Sequence, residues 1–587
     1  MSRAVYRQLH RAKRRAVHDL RADPYLPYIL VLAAVFSGFW FWHRIPNFAT
    51  RDERDRLFDV LAVVGSLVED PSFGSLKEGI TYGRAPYGAV SYLFALAALP
   101  VVVVAFLTGQ LDVFAEFDQP NPAFGGWPTW HATPEWVWTW SLLLIRLLNV
   151  VFAVGCVYLT YRLGAAIRDR TAGRLGALML TLTFGFLTLA HEGGEDMPAL
   201  FFTLLAIYLA LRYVQHGRGD SFLTASGFGG LAIAFKLTAA PVVIAIGVAH
   251  VLRGHATEDW RRALVRPRLL ITGATLGAVT IVLGFPSALV TGPAPLEERF
   301  IDHSTARVSQ ATGPDAPIWW WFLRGYFNAF GLPLFIGIVS GVAASFVHFR
   351  DRATSSHGLI LVGVSAVSYV ALISRLHDFR VHHLLVTFPL LIVVFAVVLS
   401  RTYDRSPSIA RPLIGLLVMT SGAYAIVGDV GYATQPREQA TAWLDTNAAP
   451  GERMGVLGRD LQDTAVPHDM ALRRFWDRGR PGTFVSCPAY IQLGYRDLLY
   501  LNSESYYRHD QQRAARVRSL INGEYSYEIA AEFGRRPPNF VPQRPTPGSL
   551  IDLIPVGLVP RVSQYGDEQD VGPNQYTLIL ERTAPCG

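Results

Sequence analysis

Asp52 and Glu53 stand in the stretch Ile45-Pro-Asn-Phe-Ala-Thr-Arg-Asp-Glu-Arg-Asp55. An apolar run from Tyr28 to Trp42 precedes them. Leu57, Val60, Leu61, Val64 and Leu67 follow at a spacing that predicts an amphipathic helix. A carboxylate at such a junction can act as a general base at a membrane boundary. Acidic residues also favour the first turn of a helix, and Asp55 and Asp59 continue the charged face, so a plain helix start stands beside the catalytic reading.

The stretch His191-Glu-Gly-Gly-Glu-Asp-Met-Pro198 is the second acidic feature. Its two glycines fit a hairpin turn. Glu192, Glu195 and Asp196 are more carboxylates than a turn needs, and oxygen ligands so grouped suit a divalent cation or a base. The cations form a third set: Arg84, Lys236, Arg380, His382 and His383. Lys236 lies in the apolar hairpin Ala232-Ile-Ala-Phe-Lys-Leu-Thr-Ala239 and needs a partner or an anionic ligand. Such cations would stabilise a phosphate leaving group. His377, His382 and His383 are an alternative metal set, but their spacing matches no tight ligand pattern. Trp127, Trp130, Trp136, Trp138, Trp140 and Trp319 to Trp321 read as an interfacial aromatic belt.

These residues need elements to carry them. The chain has 587 residues, 51% hydrophobic, with apolar runs that recur along its length. Roughly 17–25 such residues cross a bilayer as helix, and in lipid the backbone must satisfy itself. The expected fold is a polytopic α-helical membrane protein with spans at 28–43, 139–161, 173–190, 197–214, 222–236, 238–252, 268–290, 331–348, 358–374, 383–400 and 411–428. The expected domains are a basic N-terminus (1–27), a transmembrane domain (28–430) with a large first outer loop (44–138), and an extracytoplasmic soluble α/β domain (431–587). Gln439–Asn447 reads as a short amphipathic helix, and Thr483–Ser486 and Gln575–Leu580 read as strands.

Arginines set the orientation. With the N-terminus in the cytoplasm, loops 162–174, 212–218, 253–268, 350–352 and 401–411 are cytoplasmic and arginine-rich. The acidic and aromatic loops and the C-terminal domain are then outside, in a multi-pass plasma-membrane protein. Residues 85–107 are apolar enough to span, but a crossing there would invert every later loop. Pro86 and Pro100 also interrupt the run, so an interfacial or re-entrant element is expected. No small-residue cleavage site follows the basic N-terminus, so no cleaved signal is expected. The net charge of +7 comes from these loop arginines and does not point to nucleic acid. Cys156 lies within a span, whereas Cys487 and Cys586 could pair if their region is outside.

In this order the pieces resemble the GT-C superfamily of integral membrane glycosyltransferases, in its protein O-mannosyltransferase and aminoarabinose transferase-like branch. The resemblance runs through the acidic Asp52–Glu53 after the first span, then Tyr82-Gly-Arg-Ala-Pro-Tyr-Gly88, which has one proline where the family has two. It continues through Ile145-Arg-Leu-Leu-Asn-Val150, Glu195-Asp196-Met-Pro-Ala-Leu-Phe-Phe, Lys236 and Arg380 to Pro389. It implies transfer of a sugar from a polyprenyl-phosphate donor to an acceptor hydroxyl of a protein, lipid or glycan at the outer face, by one inverting displacement. It further implies Asp52 as base with Glu53 as second choice, and Arg84, Lys236 and Arg380, with His382 and His383, at the donor phosphate. Glu192, Glu195 and Asp196 would shape the site or hold a metal (Mg, Mn or Zn), which family members do not uniformly need. A transporter or flippase of a lipid-linked or anionic substrate is the alternative. It predicts symmetry between halves, which the sequence does not display. A structural or assembly protein, indifferent to neutral replacement of Asp52 and Asp196, is the third reading.

Overall fold

The computed structural model describes the chain except residues 1–2, 84–85, 116, 118–125, 303–304, 306–314, 349–353, 434–435, 458–460, 462–463, 475–486, 503–509, 565–566, 571–575 and 586–587. Arg84, the strand expected at Thr483–Ser486, and Cys586 therefore lie outside the described residues. Cys487 is disulfide-bonded, and Cys156 is free and buried.

Long apolar helices dominate. Among the described residues, nine are long and apolar enough to cross a membrane, or up to eleven if each of two bent pairs counts as one span. One bent pair is Arg170–Thr181 with Phe184–Ala190, at 64°. The other joins Lys13–Ala22 to Leu26–Gly38 at 108°. The first apolar run is helical for only 13 residues, ending at Gly38 rather than near residue 43. Trp40 and Arg44 adopt positive φ, and the carbonyls of Phe41 and His43 accept from Arg146 instead of continuing a helix.

The two ends of the bundle differ in charge. At one end Asp19 and Asp23 of the N-terminal helix receive Arg162 and Arg174, Arg170 donates to the Ala22 carbonyl, and Arg168 pairs with Asp404. Two of the arginine-rich loops named from the sequence, 162–174 and 401–411, thus converge with the N-terminal helix. The other end gathers Asp52, the 191–196 loop, Lys236, the 380–383 turn and the C-terminal region.

The segment expected to be re-entrant forms a helix, Val90–Leu107, of 18 residues with mean hydropathy 2.5. At about 27 Å it is long enough to cross. Its flanks nevertheless meet one and the same neighbour, the surface helix Arg51–Glu69. Gly83 lies against the Asp59 carboxylate, and the Phe114 carbonyl lies against Gly65. Both flanks of this helix thus pack on the same helix, six residues apart along it. Gly88 sits directly on the Ala234 carbonyl, where no Cβ fits, and Ala89 N–H donates to that carbonyl at 3.0 Å.

The C-terminal region folds around a five-stranded sheet in the order β2-β1-β3-β7-β4. Its strands are β1 Arg453–Val456, β2 Ala471–Arg474, β3 Tyr490–Gly494, β4 Tyr527–Phe533 and β7 Thr577–Arg582, and a hairpin of β5 Arg561–Gln564 and β6 Asp567–Asp570 stands apart. β1 runs parallel to β2 and β3, while β7 is antiparallel to β3 and β4. Side chains alternate as strand geometry requires. Tyr490 and Ile579 join Ala440 and Leu444 of the Pro436–Asn447 helix, in the same core as Phe48, Phe58 and Trp138. Ile491, Leu493, Leu578 and Leu580 face Val517 and Leu520 of the Gln511–Ile521 helix. The sheet is thus bolted to the helical part, with Asn47 Nδ2 donating to Leu461 O at 3.0 Å and Arg44 Nη2 to Thr464 O at 2.7 Å.

The Ile318–His348 helix is broken at Gly331 (φ 68°, ψ 157°), two residues before Pro333. The Tyr424 hydroxyl lies 3.1 Å from the Asn328 carbonyl freed there and 3.0 Å from Val556 O of the C-terminal region.

Candidate active site

Thr50 caps the Arg51–Glu69 helix: its hydroxyl accepts from Glu53 N–H at 3.1 Å. Glu53 Oε2 reaches back to Ala49 N–H at 2.8 Å. This is close to the reciprocal capping expected of Thr with Glu three residues on, except that the returning bond comes from the residue before the cap. Glu53 is fully buried and carries more than a cap. Arg146 donates Nε to Oε1 at 2.7 Å and Nη2 to Oε2 at 2.8 Å, and Gly193 N–H donates to Oε1 at 2.9 Å. Each carboxylate oxygen therefore takes one guanidinium bond and one backbone bond. A Cβ at Gly193 would lie 2.9 Å from Ile145 Cγ2 and 3.0 Å from Glu53 Oε1, so the loop needs glycine to approach. Asn149 Nδ2 also holds this loop, through the Glu192 carbonyl.

Asp52, one residue earlier, turns the other way. Its side chain is 37% exposed, with Oδ1 3.8 Å from Arg56 Nη2. It lines a cleft together with Thr50, Asn149, Glu192, Glu195, Asp196 and His382, among others. Of the acidic candidates, Asp52, Glu192, Glu195 and Asp196 meet there, whereas Glu53 is held behind the wall. Asp196 Oδ1 accepts from Lys236 Nζ at 2.6 Å. Glu195 Oε2 accepts from Arg56 Nε and Nη2 at 3.1 and 2.9 Å. Glu192 Oε1 is buried with no hydrogen-bond partner. Burial, with the Glu53 carboxylate nearby, pushes the Glu192 carboxyl well above the usual range. Among the described residues, no three His, Cys, Asp or Glu are placed to hold a metal ion. Two of the three carboxylates expected as metal ligands are engaged by Arg56 and Lys236.

Arg56 was not a sequence-based candidate. Its guanidinium lies 3.1 Å from the centre of the Tyr87 ring, and its buried Nη1 has no hydrogen-bond partner. Arg299 lies over the same ring at 5.6 Å. Tyr87, Arg299 and Glu195 line a smaller crevice with the apolar Ile233, Phe235, Leu237 and Phe285. Further along the helix, burial pushes the Asp59 carboxyl up to about 7 against the opposing pull of Arg56.

The cations named from the sequence do not form one group. His382 lines the carboxylate cleft. Arg380 lines an adjoining cavity, its backbone N–H donating to His383 Nδ1 at 3.1 Å. His383 is buried, its ring centre 4.1 Å from that of His382 and tilted by 31° to it. Lys236 is at the far side with Asp196. A helical step of four from Asp52 would have found Arg56. An arginine inside an apolar run would have marked Arg146. Nothing in the sequence singles out Arg561, which lines the cleft from the C-terminal region.

Residues 137–285 match the family model described as dolichyl-phosphate-mannose-protein mannosyltransferase. No curated protein matches the chain. Among solved structures, the chain is similar to ArnT from Cupriavidus metallidurans bound to undecaprenyl phosphate, with TM-score 0.47, 12% identity, and 82% of this chain and 95% of that one covered. It is also similar to the Archaeoglobus fulgidus oligosaccharyltransferase in the apo form, with TM-score 0.45, 14% identity, and 87% and 70% covered. The family match over residues 137–285, together with the polytopic architecture described above, makes the chain similar to membrane glycosyltransferases of the GT-C type.

Proposed function

We propose that the chain moves a sugar from a polyprenyl-phosphate-linked donor to an acceptor hydroxyl in one inverting displacement, at the extracytoplasmic face. The lipid-phosphate donor follows from the description of the matching family. The observation that carries the residue assignment is the contrast between neighbours: Asp52 opens on the cleft, while Glu53 is fully bonded behind it. Asp52 takes the proton of the acceptor hydroxyl as its oxygen attacks the anomeric carbon. The bond from that carbon to the phosphate oxygen breaks, and its electron pair leaves with the lipid phosphate. Lys236, Arg56 and Arg299, with Arg84 from outside the described residues, stabilise that charge. The apolar wall of the smaller cavity suits the first units of the lipid. Asp196 sets the Lys236 ammonium, and Glu53 is a positioning residue. If a divalent metal takes part, Glu192, Glu195 and Asp196 are its ligands only after Arg56 and Lys236 release two of them.

The orientation is supported by the arginines of loops 162–174 and 401–411, which meet the N-terminal helix at the end opposite the cleft, as the charge bias of cytoplasmic loops would have it. The three-part division (1–27, 28–430, 431–587) is proposed on the same grounds. The test is transfer from a panel of polyprenyl-phosphate sugars by purified protein in lipid. Asp52→Asn is expected to lower turnover by roughly 10²–10⁴-fold, the usual worth of a general base, with unfolding unchanged. Full turnover in Asp52→Asn refutes the assignment.

A further inference from the structure

Three cavities lie in a row. The carboxylate cleft shares Glu195 with the smaller cavity around Tyr87 and Arg299. On its other side it shares Asn328, Val381 and Arg561 with a third, small cavity. The two outer cavities have no lining residue in common. This third cavity carries Arg324, Arg380 and Arg561 with Trp321 and Phe379, and no carboxylate is among its described lining residues.

The lobe is built rather than merely basic. Arg324 is 7% exposed, its guanidinium over the Trp320 and Trp321 rings at 5.1 and 4.9 Å. Arg561 is placed from the C-terminal region by its own backbone, whose N–H donates to Oδ1 of the buried Asn328 at 3.0 Å. Three elements distant in sequence thus bring one guanidinium each to one cavity. Guanidinium groups match the geometry of phosphate and carboxylate oxygens.

The middle cleft carries the carboxylates Asp52, Glu192, Glu195 and Asp196, two of them bonded to Arg56 and Lys236, whereas the charged side chains among the described residues of the arginine lobe are cations alone. A donor with one lipid phosphate needs only one basic end. The end around Tyr87 has apolar walls fit for the lipid. The arginine lobe is instead walled by Val556 and Arg561 of the C-terminal region and by the 379–381 turn. Resting on the transferase reading, we infer that the arginine lobe binds an oxyanion, phosphate or carboxylate, carried by the acceptor close to its reacting hydroxyl. The acceptor is then an acidic molecule, and Arg380 belongs to it rather than to the donor.

The experiment uses the full chain in lipid nanodiscs and two probes, glycerol phosphate (a soluble phosphomonoester with hydroxyls) and undecaprenyl phosphate. Arg561→Gln is expected to weaken glycerol phosphate binding by about tenfold or more and to leave undecaprenyl phosphate binding within about twofold, since one charge-assisted contact is lost. Arg561→Lys retains part of the affinity, as a point charge in place of a fork. Arg380→Gln, on another wall, is expected to reproduce the selective loss and covers the case of a misfolded Arg561 variant. The inference is overturned if wild type does not bind glycerol phosphate, if the variants bind it as wild type does, or if undecaprenyl phosphate affinity falls instead. The last result would place the donor phosphate in the arginine lobe. Neither measurement uses turnover, so failure of the transferase reading would appear separately, as absence of sugar transfer with glycerol phosphate binding intact.

Discussion

Glu53→Gln separates anchoring from chemistry within one pair of neighbouring acids. Oε1 accepts from Arg146 Nε and Gly193 N, and Oε2 accepts from Arg146 Nη2 and Ala49 N. A glutamine fits the space, but its amide group has one NH₂. Either flip points that NH₂ at one guanidinium N–H and one backbone N–H. Two donors then lose their acceptor and the Arg146 charge loses its counterion, with both side chains at zero exposure. Breaking a buried pair in this way costs about 3–5 kcal/mol. Asp52→Asn, by contrast, alters a group open to the cleft, and is expected to change stability by no more than about 0.5 kcal/mol. The assay is equilibrium unfolding in mixed micelles of wild type, Glu53→Gln, Arg146→Met and the double variant. The double variant is expected to be less destabilised than the sum of the singles by about 0.5–3 kcal/mol, since the second substitution removes the orphan left by the first. Glu53→Gln within about 0.5 kcal/mol of wild type, or strict additivity, would refute the bonding scheme.

Two other perturbations probe the same face. The raised carboxyl of Asp59, near 7 in the folded chain against about 4 unfolded, means that the native state binds more protons between those values. Stability therefore falls as pH rises from about 4 to 7. Asp59→Asn is expected to flatten that fall and to leave the variant more stable than wild type at pH 8, and an unchanged pH profile of the unfolding midpoint would contradict it. Gly193→Ala puts a methyl against Ile145 and Glu53. It should destabilise by about 1–3 kcal/mol and reduce transfer by displacing the loop that carries Glu195 and Asp196, read by unfolding and turnover together.

The spans, and which residues share one end of the bundle, were legible because both are written locally, in run length and in the arginines at run ends. That is why Asp52, the 191–196 loop, Lys236 and the 380–383 turn were expected on one face and are found on one face. The partners within that face were not legible. Glu53 and Arg146 are 93 residues apart, and Arg56 and Glu195 are 139 apart, and no local pattern encodes such a choice. Glu53 looked like a second base because charge was visible while saturation was not. The early end of the first apolar helix escaped for the same reason: an arginine from a distant span takes the carbonyls that would have extended it. Val90–Leu107 shows the limit of hydropathy. Its composition permits a crossing, while both flanks return to Arg51–Glu69, a contact that run length does not encode. Arg561 is one of many arginines in a polar region, and its place is set by a single backbone bond to Asn328.

The break at Gly331 makes one joint serve two parts of the molecule. The half of that helix carrying Arg324 and Asn328 is uncoupled from the half beyond Pro333. Tyr424 and the chain around Gly557 occupy the gap. The far wall of the cleft thus acquires its shape only when the last fifth of the chain has arrived. A protein made from its N-terminus inward would have its carboxylates assembled long before it could close a substrate against them.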